Sequence, residues 1–166
     1  MTDRPRRAAP SHRLAHLAVG VSRDGVRTPV QRAALARLAL FVLKAEKARN
    51  AMLSITLVSA RAIAGLNDAY LGHAGPTDVI AFGLRTPAVD TRDTVVGDVY
   101  IAPAVAAANA RRFGVSLRHE LERLAVHGTL HVLGWDHPDG PTREQSPMWA
   151  RQERLLGAWR RRGPRR

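Results

Sequence analysis

Three of the seven histidines of this chain fall within one eleven-residue segment, HGTLHVLGWDH. His127 and His131 are four residues apart, so on a helix they project from one face, one turn apart. Gly134 can end that helix in a left-handed conformation, and His137 follows three residues later. Three imidazoles that leave a ligand position open are typical of catalytic zinc, because structural zinc usually takes four protein ligands. The segment therefore predicts a metal site on His127, His131 and His137.

The residue after the first histidine limits the chemistry of this site. The spacing H-x-x-x-H-x-x-G-x-x-H is that of the metzincin zinc proteases, but Gly128 stands where those enzymes carry their glutamate base. Glycine can transfer no proton, so the sequence disfavours a peptidase. A metal ion by itself lowers the pKa of water and polarises a phosphoryl oxygen, which suits phosphodiester cleavage. Imidazole ligands suit zinc, and they also suit nickel, copper or iron.

A carboxylate beside the third histidine is the remaining candidate for acid–base chemistry. Asp136 could act as a general base, or it could accept a hydrogen bond from an imidazole N–H and so orient the ring. We favour the second role, because most ligating histidines have such a partner. The candidate catalytic residues are Asp136 and the first histidine of the segment, His127. Glu120 and Glu122 precede His127 by about two turns and are expected on an exposed helix face.

The elements that must position this site follow from the spacing of apolar residues. Strands are predicted at 12–19, 52–58, 77–84 and 94–101, and helices at 30–47, 59–70, 103–114, 117–133 and 142–160. Thr28-Pro29 is predicted to cap the first helix, and Ser116 the fourth. This interleaving predicts an α/β (α+β) fold: a single domain with a central mixed four-stranded sheet packed against four to five helices. The metal site would lie at the end of a core helix.

Composition narrows the class of protein further. The chain has 166 residues, 45% of them hydrophobic, and no cysteine. One domain is expected from this length. The lack of cysteine excludes disulfides, thiolate zinc sites and cysteine nucleophiles, and it fits a reducing compartment. The start MTDRPRRAAP has no apolar signal region, and the most apolar run, LALFVL, is too short to span a bilayer. We therefore expect a cytoplasmic protein without a membrane contact.

The net charge of +12 is concentrated at the two ends of the chain. Residues 1–13 contribute +3 and residues 160–166 contribute +5, which leaves +4 for residues 14–159. Basic ends of this kind bind polyanions by releasing counterions. We expect a disordered basic arm at 1–13, a metal-dependent hydrolase domain at 14–159 and a basic tail at 160–166. Nucleic acid is the partner that this charge favours.

The histidine segment also resembles the signature of a known family. HGTLHVLGWDH is similar to H-G-x-L-H-L-x-G-x-D-H of the YbeY family of metal-dependent endoribonucleases and ribosomal RNA maturation factors. The segment 66–82, LNDAYLGHAGPTDVIAF, resembles the family's L-N-x-x-Y-R…P-T-[DN]-V-L-S-F, and 96–103, VGDVYIAP, resembles its G-D-I strand. E-L-x-x-L at 120–124, with Met148 and Glu153 of the last helix, extends the likeness to about residues 50–157.

The resemblance implies a specific activity. It implies an α/β fold and one zinc ion on His127, His131 and His137, with nickel or another divalent transition metal as an alternative. It also implies single-strand-specific cleavage of RNA in the 3′-end maturation of small-subunit ribosomal RNA, and a part in ribosome quality control. The expected partners are ribosomal RNA precursors and the small ribosomal subunit with its proteins.

The chain departs from the family pattern at a position that bears on the substrate. The family's arginine after the tyrosine is Leu71 here, so a cation expected at the phosphate is missing, and Arg85 or Arg123 would have to replace it. Tyr70 and Asn67 could stack on or bond to an RNA base, although Tyr70 could equally be a core residue. The candidate substrate-binding residues are Asn67, Tyr70, Thr77, Asp78 and Arg123. Thr77 and Asp78 could instead stabilise a local turn.

Two other functions stay open at this point. A ribosome-assembly or RNA-binding factor with a structural metal site is favoured by the missing cation at Leu71. A zinc metallopeptidase is the less favoured of the two, because Gly128 removes its base.

Overall fold

The computed structural model describes residues 16–84 and 94–163. Its strands are β1 His16–Arg23, β2 Asn50–Leu57, β3 Val79–Gly83 and β4 Thr94–Ile101. Its helices are α1 Arg32–Ala45, α2 Ala60–Leu71, α3 Pro103–Phe113, α4 Leu117–Val132 and α5 Pro147–Arg161, with a short 3-10 helix at Arg143–Gln145. The predicted α+β class is confirmed.

The four strands form one mixed sheet in the order β1-β2-β4-β3. β1, β2 and β4 run parallel, and β3 pairs antiparallel with β4 at the edge. One face of the sheet carries the main core, in which Leu53, Ile55 and Val99 pack with α1, α4 and α5. The other face carries a smaller cluster of Ile63 from α2 and Ile80 from β3. The described sheet is the mixed four-stranded sheet that the sequence predicts.

Helix α4 packs closely on β4 because each of the two elements carries a glycine where they meet. A Cβ on Gly128 would lie 2.5 Å from a methyl carbon of Val99, and a Cβ on Gly97 would collide with the side chain of Val132. Real Cβ atoms do not approach other atoms so closely. These two glycines therefore set the distance of α4 from β4, and with it the distance of His127 and His131 from the sheet.

Several predicted boundaries are wrong. The described part of β1 runs from His16 to Arg23 rather than over 12–19, and residues 12–15 lie outside the described ranges. α1 begins at Arg32 after Gln31, because the hydroxyl of Thr28 accepts from the amide of Val30 in a local turn instead of capping the helix. The Thr28-Pro29 cap is therefore not formed.

The C-terminal helix is shorter than predicted at its start. Ser146 has an extended conformation and its hydroxyl accepts from the amide of Trp149, while Pro147 is the first helical residue. A residue before proline avoids the helical region, so the predicted 142–160 helix divides into the 3-10 helix and α5. α5 continues to Arg161, so the first two residues of the expected basic tail are helical. Residues 1–13 and 164–166 lie outside the described ranges, as does Arg85.

The expectation of an exposed acidic face on α4 is also wrong. Glu120 and Glu122 are 3% and 6% exposed. Each is paired with an arginine on the same helix, Arg123 at i+3 and Arg118 at i−4. A buried carboxylate needs such a partner, and the pairs let the helix bury its polar face. Within the described residues, no helix combines the length and the apolar character needed to cross a membrane.

Candidate metal centre

The three histidines of the predicted site converge on one point at the carboxyl-terminal end of α4. Their Nε2 atoms are 3.1 Å apart for His127 and His131, 3.2 Å for His131 and His137, and 3.3 Å for His127 and His137. Gly134, with φ of 92°, has the left-handed conformation predicted for the residue that turns the chain back. In a tetrahedral zinc site with zinc–nitrogen distances of 2.0–2.1 Å, ligand nitrogens lie about 3.3 Å apart. The triad could hold a metal ion of this kind.

The second nitrogen of two of these rings already has an acceptor. Nδ1 of His127 donates to Oε1 of Gln152 at 2.8 Å, and the amide nitrogen of Gln152 donates to Glu153 at 3.1 Å. Nδ1 of His137 donates to the carbonyl of Pro138 at 3.1 Å. A neutral imidazole has one N–H, so these bonds leave the Nε2 lone pairs facing the shared point. Lone pairs at such distances repel unless a cation lies between them, and this is the orientation of ligating histidines.

Burial keeps the rings of His127 and His131 in the neutral form, which is the form that binds metal. The pKa of His127 is lowered to about 3, first by burial and then by the neighbouring His131, while the hydrogen bond to Gln152 acts in the opposite direction. The pKa of His131 is lowered as well, first by burial and then by His137. Both rings are therefore neutral at pH 7, as a metal ligand must be.

The loop that carries His137 is tied to two helices through Glu46. Nε1 of Trp135 donates to one oxygen of this carboxylate at 3.0 Å, and Nε of Arg151 on α5 donates to the other at 2.6 Å. Glu46 is the C-terminal cap of α1, so one side chain joins the loop to α1 and to α5. Charge-assisted hydrogen bonds of this kind are stronger than neutral ones. They fix the backbone from which the third histidine projects.

Comparison with known proteins gives the family of the chain. The family model described as endoribonuclease YbeY matches residues 22–160. The chain is 38% identical over 152 residues to the endoribonuclease YbeY of Frankia casuarinae, covering 86% of this chain and 75% of that one. It is 37% identical over 139 residues to that of Thermobifida fusca, covering 80% and 88%. The chain belongs to the endoribonuclease YbeY family.

A solved structure has the same fold. The solution structure of TM1509 from Thermotoga maritima matches with a TM-score of 0.56 at 25% identity, over 88% of this chain and 94% of that one. The family model and the two relatives confirm the resemblance to the YbeY family that the histidine signature predicts.

In this member of the YbeY family, the glycine after the first histidine has a packing reason. Gly128 faces Val99 on β4, and the space there does not admit a methyl group, far less a carboxylate. A glutamate base at this position would require α4 to stand further from the sheet. The difference from the metzincin pattern is therefore built into the fold.

Asp136 has a backbone partner instead of the expected imidazole. Its Oδ1 accepts from the amide of His137 at 2.8 Å. The acceptors on Nδ1 of His127 and of His137 are Gln152 and the carbonyl of Pro138, and His131 has a backbone hydrogen bond with Trp135. Burial lowers the pKa of His131, and the negative charge of Asp136 opposes that shift, so the carboxylate acts on the site through its field. Its role as a general base stays a prediction.

Gln152 is a site residue that the sequence analysis missed. It lies 25 residues after His127, is fully buried and occupies the inner face of α5 with Met148, Leu155 and Leu156. A glutamine in an otherwise apolar stripe at helical spacing is the signal that could have indicated a buried polar contact.

Arg143 is the second residue that was missed. Its Nη2 lies 3.0 Å from Nε2 of His127, and its Nε is buried without a hydrogen-bond partner among the described residues. It lies six residues after His137, at the start of the helix predicted over 142–160, and nothing in that prediction places its side chain at the histidines.

Arg123, which was expected to replace the missing cation, has partners of its own. It lies one turn before His127 on α4, and its Nε donates to Glu120 at 2.9 Å. Its guanidinium also lies 3.8 Å from Asp78 and 5.9 Å from the ring centre of Trp149. These contacts hold it in a structural ion pair, and a contact with substrate stays a prediction.

The other candidate substrate-binding residues divide into buried and exposed groups. Asn67 is buried and donates to the carbonyl of Gly75 at 2.9 Å, which fixes the loop after α2. The hydroxyl of Thr77 donates to Asp78 at 3.5 Å, a local turn contact. Tyr70 is 68% exposed and packs edge-on against Phe82, with 5.3 Å between ring centres. Tyr70 is therefore not a core residue, and its stacking on an RNA base stays a prediction.

Proposed function

We propose that this chain is a zinc-dependent, single-strand-specific endoribonuclease that matures the 3′ end of small-subunit ribosomal RNA. The observation that carries the proposal is the convergence of the Nε2 atoms of His127, His131 and His137 within 3.3 Å of one another in a member of a family of endoribonucleases. Nickel would suit the same donors. The proposal includes residues 14–159 as the hydrolase domain, with basic extensions on either side.

The residues around the triad divide the chemistry among them. A zinc ion on the three Nε2 atoms would supply a Lewis acid that polarises a phosphoryl oxygen and lowers the pKa of water. Gln152 keeps Nδ1 of His127 protonated, so Nε2 presents its lone pair. Asp136 keeps one carboxylate oxygen on the amide of His137 and is the proposed general base. A peptidase is disfavoured because Gly128 supplies no base and the packing against Val99 leaves no room for one.

The cellular setting follows from this substrate. The proposed partners are ribosomal RNA precursors, the small ribosomal subunit and its proteins, in the cytoplasm. A part in ribosome quality control belongs to the same proposal. The basic ends of the chain support it, since cationic segments bind the phosphate backbone of RNA.

Cleavage of matched substrates tests the proposal. Zinc-loaded protein should cut a single-stranded oligoribonucleotide and leave the same sequence intact when it is annealed to its complement. Chelator-treated protein and a His131→Ala variant should be inactive. A His119→Ala variant changes an exposed histidine near the start of the same helix and should retain full activity. Equal cleavage by the wild-type protein and His131→Ala would show a contaminating nuclease and would contradict the proposal.

A structural metal in an assembly factor is the second candidate, since Leu71 is 48% exposed where the family has its arginine. It predicts that His131→Ala lowers the melting temperature strongly and abolishes binding to the small subunit with it. A folded His131→Ala variant that binds the subunit but does not cut RNA would favour the endoribonuclease.

A further inference from the structure

We infer that Arg143 forms a phosphate-binding subsite beside the histidine triad and holds a phosphodiester oxygen of the RNA. The inference rests on the proposed function, because it names the group that receives the substrate's charge. It concerns a residue of the segment between His137 and α5, in the 3-10 helix Arg143–Gln145.

The first observation is the position of the guanidinium. Nη2 of Arg143 donates to Nε2 of His127 at 3.0 Å. That nitrogen is one of the three that face the shared point of the triad. The backbone of Arg143 is held there by its amide, which donates to the carbonyl of Gly140, and by its carbonyl, which accepts from Ser146. The cation is therefore placed at the triad by the fold of this segment.

The second observation is that Arg143 lacks a counter-charge. Each of Arg118, Arg123 and Arg151 is paired with a glutamate. None of the ion pairs found within residues 16–84 and 94–163 includes Arg143. Its Nε is buried and has no partner in that part of the chain. A buried N–H of a charged group without an acceptor is unfavourable, so this guanidinium has hydrogen-bonding capacity that the described protein does not satisfy.

These observations lead to an anionic ligand. When His127 ligates a metal through Nε2, its lone pair is engaged, so Arg143 can no longer donate to it. The guanidinium then lacks this acceptor and lies close to a second positive charge, and the repulsion between the two cations favours an anion as the new acceptor. A phosphodiester supplies both the negative charge and two oxygens that match the planar fork of an arginine. Arg143 and the triad would therefore bind one phosphate from two sides.

Binding measurements on matched variants test this role. The variants are Arg143→Gln, Arg143→Lys and, as a control, Arg111→Gln, which changes an exposed arginine of α3. The probe is a fluorescent single-stranded 2′-O-methyl oligoribonucleotide, checked on a gel to be intact afterwards. Its affinity for zinc-loaded protein is measured by anisotropy. Zinc affinity without the probe is measured by competition with a chromophoric chelator.

Arg143→Gln should affect RNA binding and zinc binding differently. Arg143→Gln should bind the probe about 10-fold more weakly than wild type, equivalent to ~1.4 kcal/mol. It should bind zinc at least as tightly as wild type, because a competing cation has been removed. Arg143→Lys should lie between the two in probe affinity, since it keeps the charge and loses the fork. Arg111→Gln should match wild type in both measurements.

Two results would overturn the inference. One is a probe affinity of Arg143→Gln equal to that of Arg111→Gln. The other is a parallel loss of zinc and probe affinity, which would make Arg143 a structural support of the histidines. Cleavage by the wild-type preparation separates this from the proposed function: if wild type cuts RNA and Arg143→Gln binds the probe normally, the subsite alone is wrong. If wild type fails to cut, the endoribonuclease proposal is wrong whatever Arg143 does.

Discussion

Replacement of Gly128 by alanine should destabilise the protein, although alanine is normally the better helix residue. An added Cβ would lie 2.5 Å from Cγ1, 3.1 Å from Cγ2 and 3.4 Å from Cβ of Val99. Val99 is fully buried on β4 and its branched side chain has little rotamer freedom, so the strain must be relieved by moving α4. Overpacking of this kind costs about 1–3 kcal/mol.

The net effect follows from two opposing contributions. A contact this short places the overpacking cost at the upper end of that range, about 3 kcal/mol. Alanine gains about 1 kcal/mol over glycine inside a helix, so the expected net loss is about 2 kcal/mol. For a protein of this size that corresponds to a fall in Tm of roughly 4–8 °C. Urea unfolding and thermal melts in the presence of chelator would measure it without a contribution from bound metal.

Gly65 provides a matched control within the same molecule. It is a helical glycine of α2, and a Cβ there would meet no atom within 4 Å. Gly65→Ala should therefore leave stability unchanged or raise it by up to about 1 kcal/mol. The double variant Gly128→Ala/Val99→Ala should lose less stability than the sum of its single changes, because Val99→Ala makes room for the methyl group that Gly128→Ala adds. A Gly128→Ala protein as stable as Gly65→Ala would refute the close packing of α4 on the sheet.

Two further predictions concern the triad. Gln152→Leu should weaken zinc binding about 10–100-fold, because Nδ1 of His127 loses its acceptor. Gln152→Glu keeps an acceptor and should bind zinc nearly as tightly as wild type. Equal losses of zinc affinity in the two variants would contradict the role of Gln152 in orienting His127. The free energy of unfolding of the metal-free protein should fall as pH falls from about 6.5 towards 3. In that window His127 binds a proton in the unfolded state but not in the folded state. The expected decrease in the free energy of unfolding is roughly 2 kcal/mol between pH 7.5 and 5. Urea unfolding of His127→Asn, which lacks this group, should show a shallower pH dependence; an identical slope would show that other groups cause it.

The parts of the site that the sequence predicts are those that depend on local geometry. His127 and His131 lie on one helix at a spacing that any helix brings together, and Gly134 ends that helix where a left-handed residue is needed. The strand at Thr94–Ile101 and the start of α3 at Pro103 likewise follow from short-range signals. The prediction of the fold succeeds for the same reason, since interleaved helices and strands leave few ways to bury their apolar faces.

The parts that the sequence does not predict depend on contacts between distant segments. Gln152 reaches His127 only because α5 packs beside α4, and Glu46 reaches Trp135 from 89 residues away. The burial of Glu120 is of the same kind: its charge predicts exposure to solvent, but Arg123 pairs with it, and the guanidinium of Arg123 lies over the ring of Trp149 on α5. The spacing of residues within one segment does not indicate which other helix that segment will pack against.

The tight packing of α4 also limits where the catalytic groups of the proposed endoribonuclease can lie. With Gly128 in close contact with Val99, the helix cannot carry a carboxylate directly after its first histidine, so the proton transfer that the proposed function requires needs a group at another position. The segment that follows α4 meets this need, because Asp136 and Arg143 belong to it and both act on histidines of the triad. A Gly128→Glu change would therefore not create a peptidase. It would push α4 away from the sheet and displace His127 from the two other rings, so metal binding should be lost before any new base could act.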